Sequence, residues 1–259
     1  MIPSLTTLLA LSSLMFATPV VAAQQPEAPE TIDGRQIIEH IEKLLWGKTS
    51  RGRYTMRIST PRWQRTLEID MWMRRPDKTF IRIRAPAKEA GTASLRIGDE
   101  MWNYIPKVER VIKIPPSMML QPWMGSDFAN DDLVKESSVI RDYQHRVIGR
   151  EQQGDDAVLV VEALPRENAA VVWGKLVYRV RERDLMPLKQ DYFSERGERI
   201  KEMTFSQVKQ MGGRLLPTHW EMRSLRKPGN VTVVELQDIV FDKPIADAIF
   251  TLRNLRNPE

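Results

Sequence analysis

Over most of the chain apolar and polar residues alternate with a period of two, and the first stretch to carry charge departs from that rhythm. In Thr31–Lys48 the apolar residues Ile37, Ile38, Ile41, Leu44 and Leu45 recur at helical spacing, with Glu39, Glu42 and Lys43 on the other face. Asp33 or Thr31 can cap the start of this helix and Gly47 can end it. Beyond it Tyr54, Met56 and Ile58 alternate with Arg53, Thr55 and Arg57, and Trp63, Leu67, Ile69, Met71 and Met73 lie on one parity among Gln64, Thr66, Glu68 and Asp70. Pro61 falls in the turn, so these two segments predict an antiparallel hairpin with one apolar and one wet face. Phe80–Ala85, Thr92–Ile97, Glu100–Ile105 and Arg110–Ile114 continue the series, punctuated by Arg75-Pro76-Asp77, Pro86, Gly98-Asp99 and Pro106.

Residues 115–137 break the pattern. Pro115-Pro116 stops the strand, and the run from Ser117 to Met124 is apolar, Met-rich and poor in β-branched residues. Asn130 or Asp131 can then cap a short helix through Leu133 and Lys135. Strands resume at Val139–Tyr143, Ala157–Leu164, Lys175–Arg181, Lys189–Ser194, Ile200–Lys209, Arg214–Leu225 and Val231–Phe241, with a closing helical turn at Ala246–Phe250. Leu176, Tyr178 and Val180 face one way; Lys175, Arg179 and Arg181 face the other. About a dozen short strands without long intervening helices predict an antiparallel meander rather than a parallel α/β sheet. A sheet of that many strands curls or closes, so its concave face must be filled, and the irregular insertion is the available filler.

Composition narrows the function classes. The 259 residues contain no Cys, which excludes disulfides, Cys-ligated zinc, thiol catalysis and a lipidated N-terminal cysteine. At 42% hydrophobic and 28% charged, the chain can build a packed core. The net charge of +5 comes from alternating Arg and Glu rather than from one basic block, so we read it as solvated strand faces and expect no nucleic-acid partner. Leu5 to Val21 is apolar and small, and Val21-Ala22-Ala23 fits the small-residue cleavage rule. We therefore expect a signal peptide over residues 1–23, a Pro/Glu/Ala-rich leader over 24–33 and a single domain over 34–259 that works in the periplasm after cleavage.

The chemistry-bearing residues are sparse. His40, His145 and His219 lack metal-ligand spacing, so no metal and no cofactor is expected, and there is no nucleophile elbow, phosphate-binding Gly loop or dinucleotide fingerprint. Asp127, Asp131 and Asp132 could form an acid/base pair, but caps and turn contacts account for them better. The apolar inventory stands out. All seven Trp and eleven of the 13 Met lie beyond residue 23, and Met118, Met119 and Met124 flank Trp123 in the broken region. Methionine adapts to ligands of variable shape; these side chains either fill the core or line a dry hollow for acyl chains. At ~0.8 kcal/mol per CH₂, a sixteen-carbon chain represents roughly 12 kcal/mol of burial, so a lipidated cargo needs shelter to cross water.

Within residues 71–133, Met71-Trp72-Met73, the run Met101 to Pro106, Arg110 to Pro116 and above all the run from Met124 to Leu133 resemble the outer-membrane lipoprotein-sorting family, in a divergent LolA-like branch. Leu185 to Lys189, Gly212 to Thr218 and Phe250-Thr251 agree with it. The resemblance implies a mainly β fold: a curled antiparallel sheet forming an incomplete barrel with a helical lid and plug over a hydrophobic cavity. The first helix and the Pro115–Lys135 insertion would be lid and plug. The lipid-cavity lining expected on this basis is Tyr54, Met56, Ile58, Leu67, Ile69, Met71, Trp102, Tyr104, Met118, Met119, Trp123, Met124 and Phe128. The resemblance further implies an arginine that holds the lid closed, for which Arg53, Arg57 and Arg65 are all candidates.

The leading expectation is a non-enzymatic periplasmic carrier or chaperone for acyl chains of a lipoprotein or lipid. Its partners would be an inner-membrane transporter of the ABC or RND type and, further on, an outer-membrane acceptor. The alternative is a periplasmic sensor that binds a membrane signalling protein, and a third reading is a hydrolase using Asp127 or Asp131.

Overall fold

A computed structural model describes residues 33–135, 139–169 and 171–256. The expected signal peptide, most of the leader and the alternative cap Thr31 lie outside the described residues. The first helix, α1 (Gly34–Trp46), starts at Asp33, whose carboxylate accepts from the Arg35 amide at 3.0 Å, and ends at Gly47, φ 63°, whose N–H donates to the Lys43 carbonyl. The Arg214 guanidinium donates to the carbonyls of Lys43 and Leu44, so a cation also sits at the negative end of the helix dipole. The buried stripe is Ile37, Ile38, Ile41, Leu45 and Trp46, each worth about 1.5–3 kcal/mol of burial.

Thirteen strands follow: β1 (Thr49–Ser59), β2 (Gln64–Arg74), β3 (Lys78–Ala85), β4 (Ala93–Ile97), β5 (Glu100–Ile105), β6 (Arg110–Lys113), β7 (Tyr143–Gln153), β8 (Asp156–Pro165), β9 (Lys175–Arg181), β10 (Met186–Phe193), β11 (Arg199–Met211), β12 (Arg214–Ser224) and β13 (Val231–Phe241). They form one antiparallel sheet in the order β6-β5-β4-β3-β2-β1-β13-β12-β11-β10-β9-β8-β7. Two meanders are therefore fused where the first strand pairs with the last. The sheet is not closed into a barrel: β6 and β7 are its edges among the described residues.

Period-two chemistry sets the faces. Tyr54 pairs with Ile69 and Leu236, and Met56 with Leu67 and Val234, so the apolar parity of β1, β2 and β13 stacks on the inner face while Arg51, Arg53 and Arg57 stand outside. A second, smaller core lies on the other face, where Phe80, Ala93 and Leu95 meet Phe250 of the closing turn and Leu255 of the C-terminal helix, α4 (Leu252–Arg256). The insertion bears two short helices, α2 (Asn130–Lys135) and α3 (Val139–Asp142).

The strand expected over Val139–Tyr143 needs correction. Residues 139–142 are helical, not a strand, and β7 begins at Tyr143 and runs to Gln153. This edge strand is half-exposed or exposed after Tyr143, so its residues had no buried face to impose an alternation. Its backbone is where the lid rests: a Cβ on Gly34 would come within 2.9 Å of the Arg146 amide nitrogen. Replacing Gly34 with Val should push the start of α1 off β7 and cost about 1–3 kcal/mol in urea unfolding, with faster hydrogen exchange confined to α1 as the local sign.

Candidate functional site: the inner face, its plug and an aromatic cavity

Residues 115–129 form no strand of the sheet. Two single-turn helices, at 116–118 and 123–125, and an isolated bridge between Pro122 and Ala129 fold this plug on itself. Its backbone is satisfied internally: Trp123 donates to the Phe128 carbonyl, Asn130 to Gln121 and Asp131 to Met119. Four contacts tie the plug and α2 to the inner face. The Trp123 indole donates to Ser94 on β4 at 3.0 Å. Thr232 on β13 accepts from the Asp127 amide at 2.9 Å and donates to its carboxylate at 2.8 Å. Arg65 on β2 donates to the Met124 carbonyl and pairs with Glu89 at 3.2 Å. Lys201 on β11 pairs with Asp132 of α2.

Of the three candidate arginines, Arg65 is thus the one that reaches the plug. It lies opposite Ile58 on the inward parity, whereas Arg53 and Arg57 point outward to Asp238 and Glu235, each at 3.9 Å. Met124, held by Arg65 through its carbonyl, adopts a left-handed backbone at φ 51°, a conformation that costs a non-glycine residue about 1 kcal/mol or more.

The structure brings most of the residues expected to line a cavity into one packed cluster. Tyr54, Met56, Ile58, Leu67 and Ile69 of the sheet meet Met119, Trp123 and Phe128 of the plug, with Met71 and Met124 half-buried against them. Trp102 and Tyr104 are not there. Met101 takes the inward position of β5, so its even-numbered neighbours emerge on the far face, in the cluster with α4. Met118 is exposed at the surface.

Tyr54 and Ile69 line a charged groove of about 790 Å³ with Arg51, Arg53, Asp70 and Asp238, and Phe128 lines a space of about 150 Å³ between the plug and Lys201, but none of the thirteen borders the aromatic-walled space inside the curl. That space, about 60 Å³, lies under α1 on the other half of the sheet, between Trp46 of the lid and Tyr178, Tyr192, Phe205 and Trp220 of β9 to β12. The rings pack edge-on: Trp46 to Trp220 at 5.3 Å and 81°, Trp173 to Tyr192 at 5.3 Å and 70°. A 150 Å³ apolar cavity is about what benzene needs, so the hollow as it stands holds a water or two and no acyl chain. Each wall aromatic sat on the inward parity of its strand in the sequence; the local pattern does not say which half of the sheet the lid covers.

Charges at this cavity are few and buried. Glu42, expected on the polar face of α1, lies instead on its buried side, one turn from Ile38, where it is 8% exposed and 3.4 Å from the Arg75 guanidinium. Burial outweighs that cation and raises its carboxyl pKa to about 7. Burial likewise raises Asp127 above the usual carboxylate range, with Thr232, Lys227 and Lys201 opposing it. Asp132 accepts from the Ala129 amide at 2.7 Å and from the Trp173 indole at 3.2 Å besides pairing with Lys201. Lys201 completes the group, 4.6 Å from the Trp173 ring centroid and 4.7 Å from that of Tyr192. These partners give Asp127 and Asp132 structural work: one docks the plug, the other caps the turn before α2 and neutralises a buried ammonium. Among the described residues no group of His, Asp and Glu could hold a metal ion, and no helix is long and apolar enough to cross a membrane.

An open, curled antiparallel sheet whose inner face is stopped by an irregular plug and a short lid helix is the LolA-like fold. Solved structures share it. A DUF1329 family protein from Desulfovibrio piger aligns at TM-score 0.78 with 22% identity, over 86% of this chain and 97% of that one. A protein domain from Vibrio parahaemolyticus described as a "putative outer membrane lipoprotein-sorting protein domain" aligns at 0.75 with 22% identity, over 86% and 98%. A LolA superfamily protein from Nitrosomonas europaea aligns at 0.75 with 21% identity, over 86% and 99%. No curated protein matches. One family model, described as "-like: Uncharacterized protein", matches residues 75–257, and the chain belongs to that family.

Proposed function

We propose that this chain is an exported carrier for the acyl chains of a lipoprotein or lipid. In this reading residues 1–23 direct export, residues 34–259 act as one domain in the periplasm, and the carrier receives its load from an inner-membrane export system. The lipoprotein-sorting description of a neighbour with the same fold supports this assignment. One observation carries it. The inner face over β1, β2 and β13 is apolar, and what covers it is a segment that adds no strand to the sheet and is held there by four side-chain contacts and its own greasy residues.

Such a cover can leave without unpairing the sheet. When it does, Tyr54, Met56, Ile58, Leu67 and Ile69 become the wall of a hollow. Their exposure to water would cost about 1.5–3 kcal/mol per side chain, which an incoming hydrocarbon chain offsets at ~0.8 kcal/mol per CH₂. The closed state therefore resists opening in water and yields to a chain long enough to repay the loss.

The test is direct. Organic extracts of the protein purified from its host should contain fatty-acyl species at near one equivalent, and the emptied protein should take up a fluorescent fatty acid with quenching of its tryptophans. Clean extracts together with no uptake would remove the proposal.

A further inference from the structure

The polar partners that the structure gives to the Lys201 ammonium are the Asp132 carboxylate and the Asp127 carbonyl, and both belong to the segment covering the inner face. Its other neighbours are the rings of Trp173 and Tyr192. Lys201 itself is fixed in the sheet: it sits on β11 opposite Ser224, on the same inward parity as Met203 and Phe205, with its side chain 5% exposed. The other wall groups follow the same logic. Arg65 on β2 is satisfied by the plug's Met124 carbonyl and Thr232 on β13 by the plug's Asp127. Lys201, Arg65 and Thr232 of the wall thus donate to oxygen acceptors of the cover, two of them carboxylates, while in the other direction Ser94 and Thr232 accept from the cover's Trp123 indole and Asp127 amide.

Opening removes all of those acceptors at once. Arg65 keeps Glu89, but Lys201 keeps only aromatic faces. A cation left in an apolar hollow without an anion is costly, and rings alone compensate it weakly. The occupant that replaces the cover must therefore bring an anionic oxygen to Lys201. We propose that the plug is an internal mimic of the ligand, and that the ligand is an amphiphile with an anionic, phosphate-type group beside its acyl chains, bound with that group on Lys201. This rests on the carrier reading and adds the chemical class of the cargo, which a greasy wall alone leaves open.

The experiment uses probes of equal chain length on the delipidated protein: dodecyl phosphate, dodecanol and dodecylammonium, with inorganic phosphate as the chain-free control. Affinities are read below the micellar range by calorimetry or tryptophan fluorescence. Dodecyl phosphate should bind at least about tenfold more tightly than dodecanol, roughly the effect of one charge-assisted hydrogen bond. Dodecylammonium should bind more weakly than dodecanol, and inorganic phosphate should not compete at millimolar levels. Removing both charges of the pair in Lys201→Met/Asp132→Asn, which leaves no lone buried charge, should bring dodecyl phosphate and dodecanol to parity. Asp132→Asn alone should tighten dodecyl phosphate, because the competing internal carboxylate is gone; a merely structural role for the pair predicts the opposite sign.

Equal binding of the three amphiphiles by the unaltered chain would overturn the proposal while leaving the carrier reading intact. So would an unchanged phosphate preference in the double variant, or inorganic phosphate matching dodecyl phosphate. Failure of every chain-bearing probe to bind would overturn both readings together.

Discussion

Lys201→Met should lower the unfolding free energy by about 3–5 kcal/mol, the cost of stranding one member of a buried ion pair. Asp132 is 7% exposed, and without the ammonium its carboxylate retains only the Ala129 amide and the Trp173 indole as partners. The double variant Lys201→Met/Asp132→Asn should recover most of that loss, because neutral groups of similar size fill the same place without a desolvated charge. Urea unfolding at pH 7.5 of Lys201→Met, Asp132→Asn and the double variant measures these losses, and the pairwise coupling follows from the cycle. Additive losses in the cycle would show that the pair contributes nothing beyond its separate side chains. Part of the loss in the single variant should take the form of local opening. The covering segment can swing Asp132 into water without unfolding the sheet, so protection from hydrogen exchange should fall first in residues 119–135.

The second large effect depends on pH. Glu42 has its pKa raised to about 7 by burial. A carboxyl group with a folded-state pKa above its unfolded value is stabilising when protonated. That contribution is therefore complete below the unfolded value near 4.5 and is lost as pH rises through about 7. Over that window the shift corresponds to about 3 kcal/mol. Thermal unfolding between pH 4.5 and 8 should show the wild type losing stability on this account, while Glu42→Gln removes the slope and is the more stable protein at pH 8. Parallel pH profiles for the two would mean that Glu42 ionises freely in the fold. Because Glu42 lies on the buried side of α1, the helix that roofs the cavity, the charge that forms on deprotonation loosens the lid rather than the sheet.

How far the sequence alone carries can be judged residue by residue. Where a strand has one dry and one wet face, alternation is enough: Tyr54, Met56 and Ile58 against Arg53 and Arg57 identified β1 and its inner parity, and Leu176, Tyr178 and Val180 did so for β9. The α1 helix was legible from its stripe, its Asp33 cap and its Gly47 stop. Legibility failed where burial is not local. The edge strand β7 has no dry face to write a pattern, and residues 139–142 chose helix in a place where four residues carry no period. The aromatic-walled space under α1 was not legible for a related reason. Alternation orients each side chain but does not decide that the plug packs on β1 and β2 while the lid spans β9 to β12, a choice made by long-range packing. One readable signal was passed over. Lys201 stands on the inward parity of an otherwise apolar strand, with Met203 and Phe205, and a cation in that position demands a buried anion.

The central claim is that the segment over the inner face moves aside for an acyl chain. The chain has no cysteine, so two introduced thiols are the only labelling sites. Spin labels at Gln121 of the plug and Arg196 of the β10–β11 hairpin, both exposed, report the separation of cover and wall. Their distance distribution, measured by pulsed electron resonance with and without stoichiometric dodecyl phosphate, should be single and narrow in the empty protein and gain a distinct longer population when loaded. An unchanged narrow distribution at saturating ligand would mean that the cover does not move, and the account of this fold as a carrier would fail with it.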